Sequence, residues 1–128
     1  MANESVFQKI IAKEIPADIL YENQDVLCFK DIYPAAPWHY LMIPKREIAE
    51  FGRASVDQQP VLAELLQQSY ALLMSDKAPQ GDKRMVINSG VSAMQTVFHV
   101  HVHLIAGRPF SLACSKDENT TELMRTDN

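Results

Sequence analysis

Two rhythms of apolar and polar residues run through this chain. Val6, Phe7, Ile10 and Ile11 recur at helical spacing behind Ser5, a good capping residue, which predicts a short helix with Pro16 marking its end. Ile19 to Tyr21 and Val26 to Asp31 flank the polar turn Glu22 to Asp25 and predict two strands. In the second, alternation puts Leu27, Phe29 and Asp31 on one face, with Val26, Cys28 and Lys30 on the other. Pro34 and Pro37 stiffen the loop Tyr33 to Trp38. His39 to Ile43 is a further strand, with His39, Leu41 and Ile43 on a common face. Leu62, Leu65, Leu66, Ser69, Leu72 and Leu73 then mark a long helix. Pro60 suits only a first turn, which favours Asp57 over Ser55 as the cap. Lys83 to Asn88 and Thr96 to Ala106 are the last two strands, joined by a loop in which Gly90 suits a positive φ.

These elements predict an α+β fold, a mainly antiparallel sheet of about five strands with two helices. At 128 residues the chain is expected to be one domain, 1–128, with a polar tail from about residue 115 as a candidate for disorder. Truncation after Ser111 is expected to leave the fold largely intact.

Composition narrows the function. A content of 47% apolar and 22% charged residues excludes a disordered chain. A net charge of −4 argues against a nucleic-acid partner, so any phosphate must be held by local donors. Cys28 and Cys114 make no disulfide framework, and Cys28 is expected to be a buried thiol. Met1 to Ser5 lacks a signal-peptide pattern and no apolar run approaches membrane-spanning length, so a soluble cytoplasmic protein without a membrane partner is expected.

The last strand carries the chemistry. His99, His101 and His103 alternate with Val100, Val102 and Leu104, so three of the four histidines share one face. The residues alone leave three readings: a solvated face, a metal site or a nucleophile. At a rise of roughly 3.4 Å per residue, His99 and His103 start about 13 Å apart, too far for one ion to hold all three. A phosphoryl group at His101, by contrast, is flanked on both sides, and neutral imidazole is nucleophilic near pH 7.

The run His99 to Ile105 resembles the signature of the histidine-triad family of nucleotide hydrolases and transferases. Phe7 to Pro16, Phe29 to Ile32, Ala36 to Lys45, Asn88 to Gly90 and Gly107 to Pro109 resemble its purine nucleoside phosphoramidase branch. The resemblance implies that His101 attacks the α-phosphorus of a purine nucleoside 5′-phosphoramidate or related mixed anhydride. Water then releases the nucleoside monophosphate from a nucleotidyl-imidazole. His101 should have its other ring nitrogen tied to an acceptor, fixing the tautomer. His103 is implied as a donor to the phosphate, and His39 as the residue that orients or polarises His99. Asn88, Gln95 and Thr96 could by themselves just satisfy loop backbone; the resemblance implies that Thr96 faces the leaving group and that Asn88 and Gln95 bind the phosphate oxygens. Asp31 is implied to bind the ribose hydroxyls, with Phe7, Ile11, Phe29, Ile32 and Leu41 around the base. The resemblance implies no metal, no cofactor, an AMP- or GMP-like nucleotide as the partner, and a homodimer. This chain departs from the branch at Thr96, usually serine, and at Ala93 and Met94, where Gly-Gly is common. Two other readings stay open: a dinucleoside polyphosphate hydrolase of the same family, and a non-catalytic nucleotide-binding or scaffold protein.

Overall fold

The computed structural model describes residues 5–110. Ser5 caps the first helix, α1 (Val6–Ile11), its side chain accepting the Gln8 N–H at 3.2 Å. The helix stops well before Pro16. Ala12 is its C-cap, and Lys13 turns left-handed with φ 63°, a conformation no α-helix continues. Strands β1 (Ile19–Glu22), β2 (Val26–Lys30) and β3 (Trp38–Pro44) follow. After a connector with two 3-10 turns come helix α2 (Gln59–Leu73) and strands β4 (Lys83–Val86) and β5 (Val102–Ala106). The five strands form one antiparallel sheet in the order β1-β2-β3-β5-β4, the α+β arrangement expected.

Three boundaries differ from expectation. Ser55, not Asp57, starts the α2 segment: its N–H donates to Gln58 Oε1 at 3.0 Å as part of a capping box. The 3-10 turn Val56–Gln58 leads directly into α2 and moves the true start upstream of Pro60. β4 ends at Val86, leaving Asn88 in the loop. β5 begins only at Val102, so His99 and His101 precede the regular strand. There the backbone bends, and Val100 N–H donates to Ile48 O of the connector at 2.7 Å instead of to a sheet neighbour.

Strand alternation separates two cores as expected. Val26, Cys28, Met42, Val102 and Leu104, joined by Val100, pack under Leu62, Leu65, Leu72 and Leu73 of α2. Each fully buried aliphatic side chain there contributes roughly 1.5–3 kcal/mol. Burial pushes the Cys28 thiol up to about 12, so it is an inert core group. Leu27, Phe29, Leu41 and Ile43 face the other way, under Phe7 and Ile10 of α1. Beyond the end of α1, Lys13 and Lys45 each lie 2.7 Å from the Glu22 carboxylate and hold its pKa down. Among the described residues, no helix is long and apolar enough to cross a membrane. Cys114, the cut after Ser111 and the tail from about 115 lie outside the described residues.

Candidate active site

Sheet register brings two histidines together. His39 on β3 pairs with Ile105 and His103 on β5 pairs with Leu41, so the two are diagonal neighbours on one face. His39 Nε2 lies 3.0 Å from His103 Nδ1. His39 therefore engages the third histidine of the row, not His99 as expected. His99 sits at the opposite end, where its Nε2–H donates to Pro44 O at 2.8 Å.

The partners settle the tautomers, because a backbone N–H only donates and a carbonyl only accepts. Ala35 N–H donates to His39 Nδ1 at 2.9 Å, so neutral His39 carries its proton on Nε2 and donates it to His103 Nδ1. Neutral His103 then carries its own proton on Nε2. His101 Nδ1 lies 2.9 Å from His99 O and must donate to it, which leaves the lone pair on Nε2. That Nε2 is buried and has no hydrogen-bond partner among the described residues. The Phe7 ring packs edge-on to His101 with centroids 5.0 Å apart, and His103 lies at the same centroid distance from it.

Burial keeps all four imidazoles neutral. It pulls His39 down to about 4, helped by the Arg108 guanidinium. It pulls His103 well below 6.5, with His101 and His39 adding to the effect. His101 and His99 are lowered by burial too, against the opposing pull of the His99 and Pro44 carbonyls. Asp31, 6% exposed, is pushed up to about 6 by burial, against the Tyr33 N–H that donates to its Oδ1 at 2.8 Å. Its Oδ2 lies 3.3 Å from His39 Nε2.

Beside this row opens a cavity of about 620 Å³, within the ordinary range for small-molecule sites. Phe7, Phe29, Ile32, Leu41 and Asp31 line it together with Val6 and Ile10, while Ile11 does not. A six-residue helix turns Phe7 and Ile10 inward and leaves Ile11 at the edge of that packing. Val97, which period-two spacing puts on the face of the histidines, also lines the wall.

The loop residues divide. Gln95 has both its roles inside the loop: Nε2 donates to Ala49 O at 2.8 Å and Val97 O at 3.0 Å, and Oε1 accepts Gly90 N–H at 2.8 Å. It holds the loop's shape, the role the residues by themselves allowed, and presents no spare donor to a phosphate. Asn88 Nδ2 donates to Ala93 O at 2.8 Å, while its buried Oδ1 has no partner among the described residues. Asn88 stands two residues past Val86, which pairs with His103, so the chain carries it abreast of His101. Thr96 is exposed. Gly90 takes φ 94° as expected, and Met94 takes φ 71°, which favours the glycine it replaces.

Asp31, His39 and His103 also bring one potential ligand atom each within 4.8 Å of one another. They do not fit a metal ion. Ala35 N–H holds the His39 proton on Nε2, the atom that would have to offer a lone pair to the ion.

The family model described as "Scavenger mRNA decapping enzyme C-term binding" matches residues 4–117. An uncharacterized HIT-like protein of Synechocystis is 42% identical over 111 residues, covering 87% of this chain and 96% of that protein. A 14 kDa zinc-binding protein of Zea mays is 42% identical over 106 residues, covering 81% of this chain and 82% of that one. A solved HIT family hydrolase from Clostridium thermocellum superposes with a TM-score of 0.80 at 35% identity, over 90% of this chain and all of that one (100%).

Proposed function

Since the chain belongs to the histidine-triad (HIT) family, we propose that it is a nucleotide hydrolase acting on purine nucleoside 5′-phosphoramidates or related mixed anhydrides. One observation carries the reading: His101 Nδ1–H is fixed on the His99 carbonyl, so its buried Nε2 keeps a lone pair, and the Phe7 ring packed against His101 also lines an apolar cavity with a carboxylate in its wall. The apolar walls receive the base, and Asp31 takes the ribose hydroxyls. That places the α-phosphate at His101.

His101 Nε2 attacks phosphorus, the P–N bond to the leaving amine breaks as the amine nitrogen takes up a proton passed through the Thr96 hydroxyl from solvent, and a nucleotidyl-imidazole forms. Water then cleaves the new P–N bond and restores His101. His103 Nε2–H donates to a phosphoryl oxygen as charge develops there. Asn88 Oδ1, an acceptor, suits the N–H of a phosphoramidate better than a phosphate oxygen. Thr96 stands on the leaving-group side. The working form is a cytoplasmic homodimer, in keeping with the family pattern.

The test is to mix the protein with adenosine 5′-phosphoramidate, quench within the turnover time and record the intact mass. A nucleotidyl adduct that is absent from His101→Ala supports the reading. Turnover of His101→Ala at the wild-type rate overturns it. Faster hydrolysis of diadenosine polyphosphates than of phosphoramidates moves the substrate to that class, and loss of activity on chelation overturns the metal-free chemistry.

A further inference from the structure

A single proton lies between two acceptors. Ala35 N–H keeps the His39 proton on Nε2, and from there it can serve His103 Nδ1 at 3.0 Å or Asp31 Oδ2 at 3.3 Å. One N–H cannot fully satisfy both. Asp31 Oδ1 is already held by the Tyr33 N–H, so the state of Oδ2 decides how strongly Asp31 draws the His39 proton. Asp31 is also part of the cavity wall, where a donor arriving with the ligand can reach it.

We propose that Asp31 is a positioning residue: ribose hydroxyls that donate to it commit the His39 Nε2 proton to His103 and thereby set the hydrogen-bonding state of the catalytic histidines. This rests on the nucleotide reading above and adds a second task to sugar recognition. With Oδ2 occupied by a hydroxyl donor, His39 donates to His103 Nδ1, and His103 must keep its proton on Nε2 as a phosphate donor. With Oδ2 empty, the carboxylate competes for the His39 proton. The hydrogen bond to His103 Nδ1 then weakens, and with it the hold on the ring that turns its Nε2–H toward the phosphate. No charge moves between residues; the change is one of hydrogen-bond partner, and the His103 proton stays on Nε2 throughout. A ligand can shift such an equilibrium only by its different affinity for the two states, and the hydroxyl–Asp31 contact supplies that difference.

Two measurements test this. Single-turnover rate constants at saturating substrate are compared for adenosine, 2′-deoxyadenosine and 3′-deoxyadenosine 5′-phosphoramidates. Loss of the hydroxyl contact should lower the rate constant at saturation by about tenfold or more, beyond any rise in KM. In Asp31→Asn the rate constant should start low and vary less than about twofold across the three substrates. If hydroxyl loss raises KM alone in the wild type, Asp31 only grips the sugar and the proposal falls. Imidazole nitrogen-15 spectra of the wild-type protein provide the second readout and need no variant to fold. Adenosine should shift the His103 Nδ1 signal in the direction of a stronger accepted hydrogen bond, and 2′,3′-dideoxyadenosine should not. Identical His103 spectra with both nucleosides bound overturn the coupling. If adenosine binds but no phosphoramidate is hydrolysed, the hydrolase reading fails while the spectra still decide the coupling; if adenosine does not bind, both fail.

Discussion

Val102 and His103 are consecutive residues of β5, both fully buried, and they point into different worlds. Val102 enters the apolar layer between the sheet and the fifteen-residue α2, where side chains meet only one another. His103 enters a layer half covered by the six-residue α1, where hydrogen bonds run from Ala35 through His39. The long helix covers the middle of one face. The short one leaves a cavity beside the histidines on the other. Strand alternation thus assigns stability and chemistry to opposite sides of one sheet, one residue apart.

Substitutions should separate the two faces. On the open face, His101→Ala should lower turnover by at least about 10⁴-fold, since the proposed nucleophile is lost. Its thermal midpoint should stay close to wild type, and a parallel fall in midpoint and rate would break the comparison. On the closed face, Leu65→Ala should destabilise the protein by about 2–5 kcal/mol through a cavity under α2. Denaturant unfolding reads the loss, and turnover per folded molecule should not change.

Acid sharpens the contrast. His39, with a pKa near 4 against an ordinary 6.5, stays neutral when folded while the unfolded chain takes up its proton. Its contribution to stability is therefore present above 6.5 and lost as the pH falls toward 4. Asp31, raised from 3.8 to about 6, works the other way: folded protein takes its proton first, which favours folding as the pH falls through 6. Thermal midpoints should therefore drop between pH 7 and 4, and drop more steeply in Asp31→Asn, which lacks the opposing group. Turnover should fall on acidification as well, with its acid limb below the usual histidine value, because burial lowers His101. The smallest effect belongs to the loop. Met94→Gly removes a side chain from φ 71° and should raise stability by about 1 kcal/mol, read as a rise of a few degrees in thermal midpoint.

Much of this layout was legible in the residue order. Period-two patterning assigned Leu27, Phe29 and Asp31 to one face and Val26 and Cys28 to the other, and the structure keeps that division. Five strands and two helices followed from the same patterns. What could not be read depends on how strands register against each other. His39 meets His103 and not His99 because β3 and β5 pair with Ile105 opposite His39, a fact outside any single segment. The lock on His39 is the backbone N–H of Ala35, and an amide leaves no mark in side-chain identity. For Gln95 the residues left a loop-backbone role open beside the phosphate role implied by the resemblance, and residue order cannot show that its amide is held by three backbone groups.

The late start of β5 has a consequence for anyone who would borrow the motif. In a regular strand the carbonyls lie in the plane of the sheet and are shared with neighbouring strands, while side chains stand across that plane. His99 O can meet the ring of His101 because the chain has left that pattern before Val102. Grafting the five residues His99 to His103 onto a straight strand of another scaffold would preserve their spacing and lose the proton lock. The transplantable unit is longer: it runs from the Gln95 clamp through the bend to the first paired residue, together with the connector carbonyl of Ile48 that holds Val100.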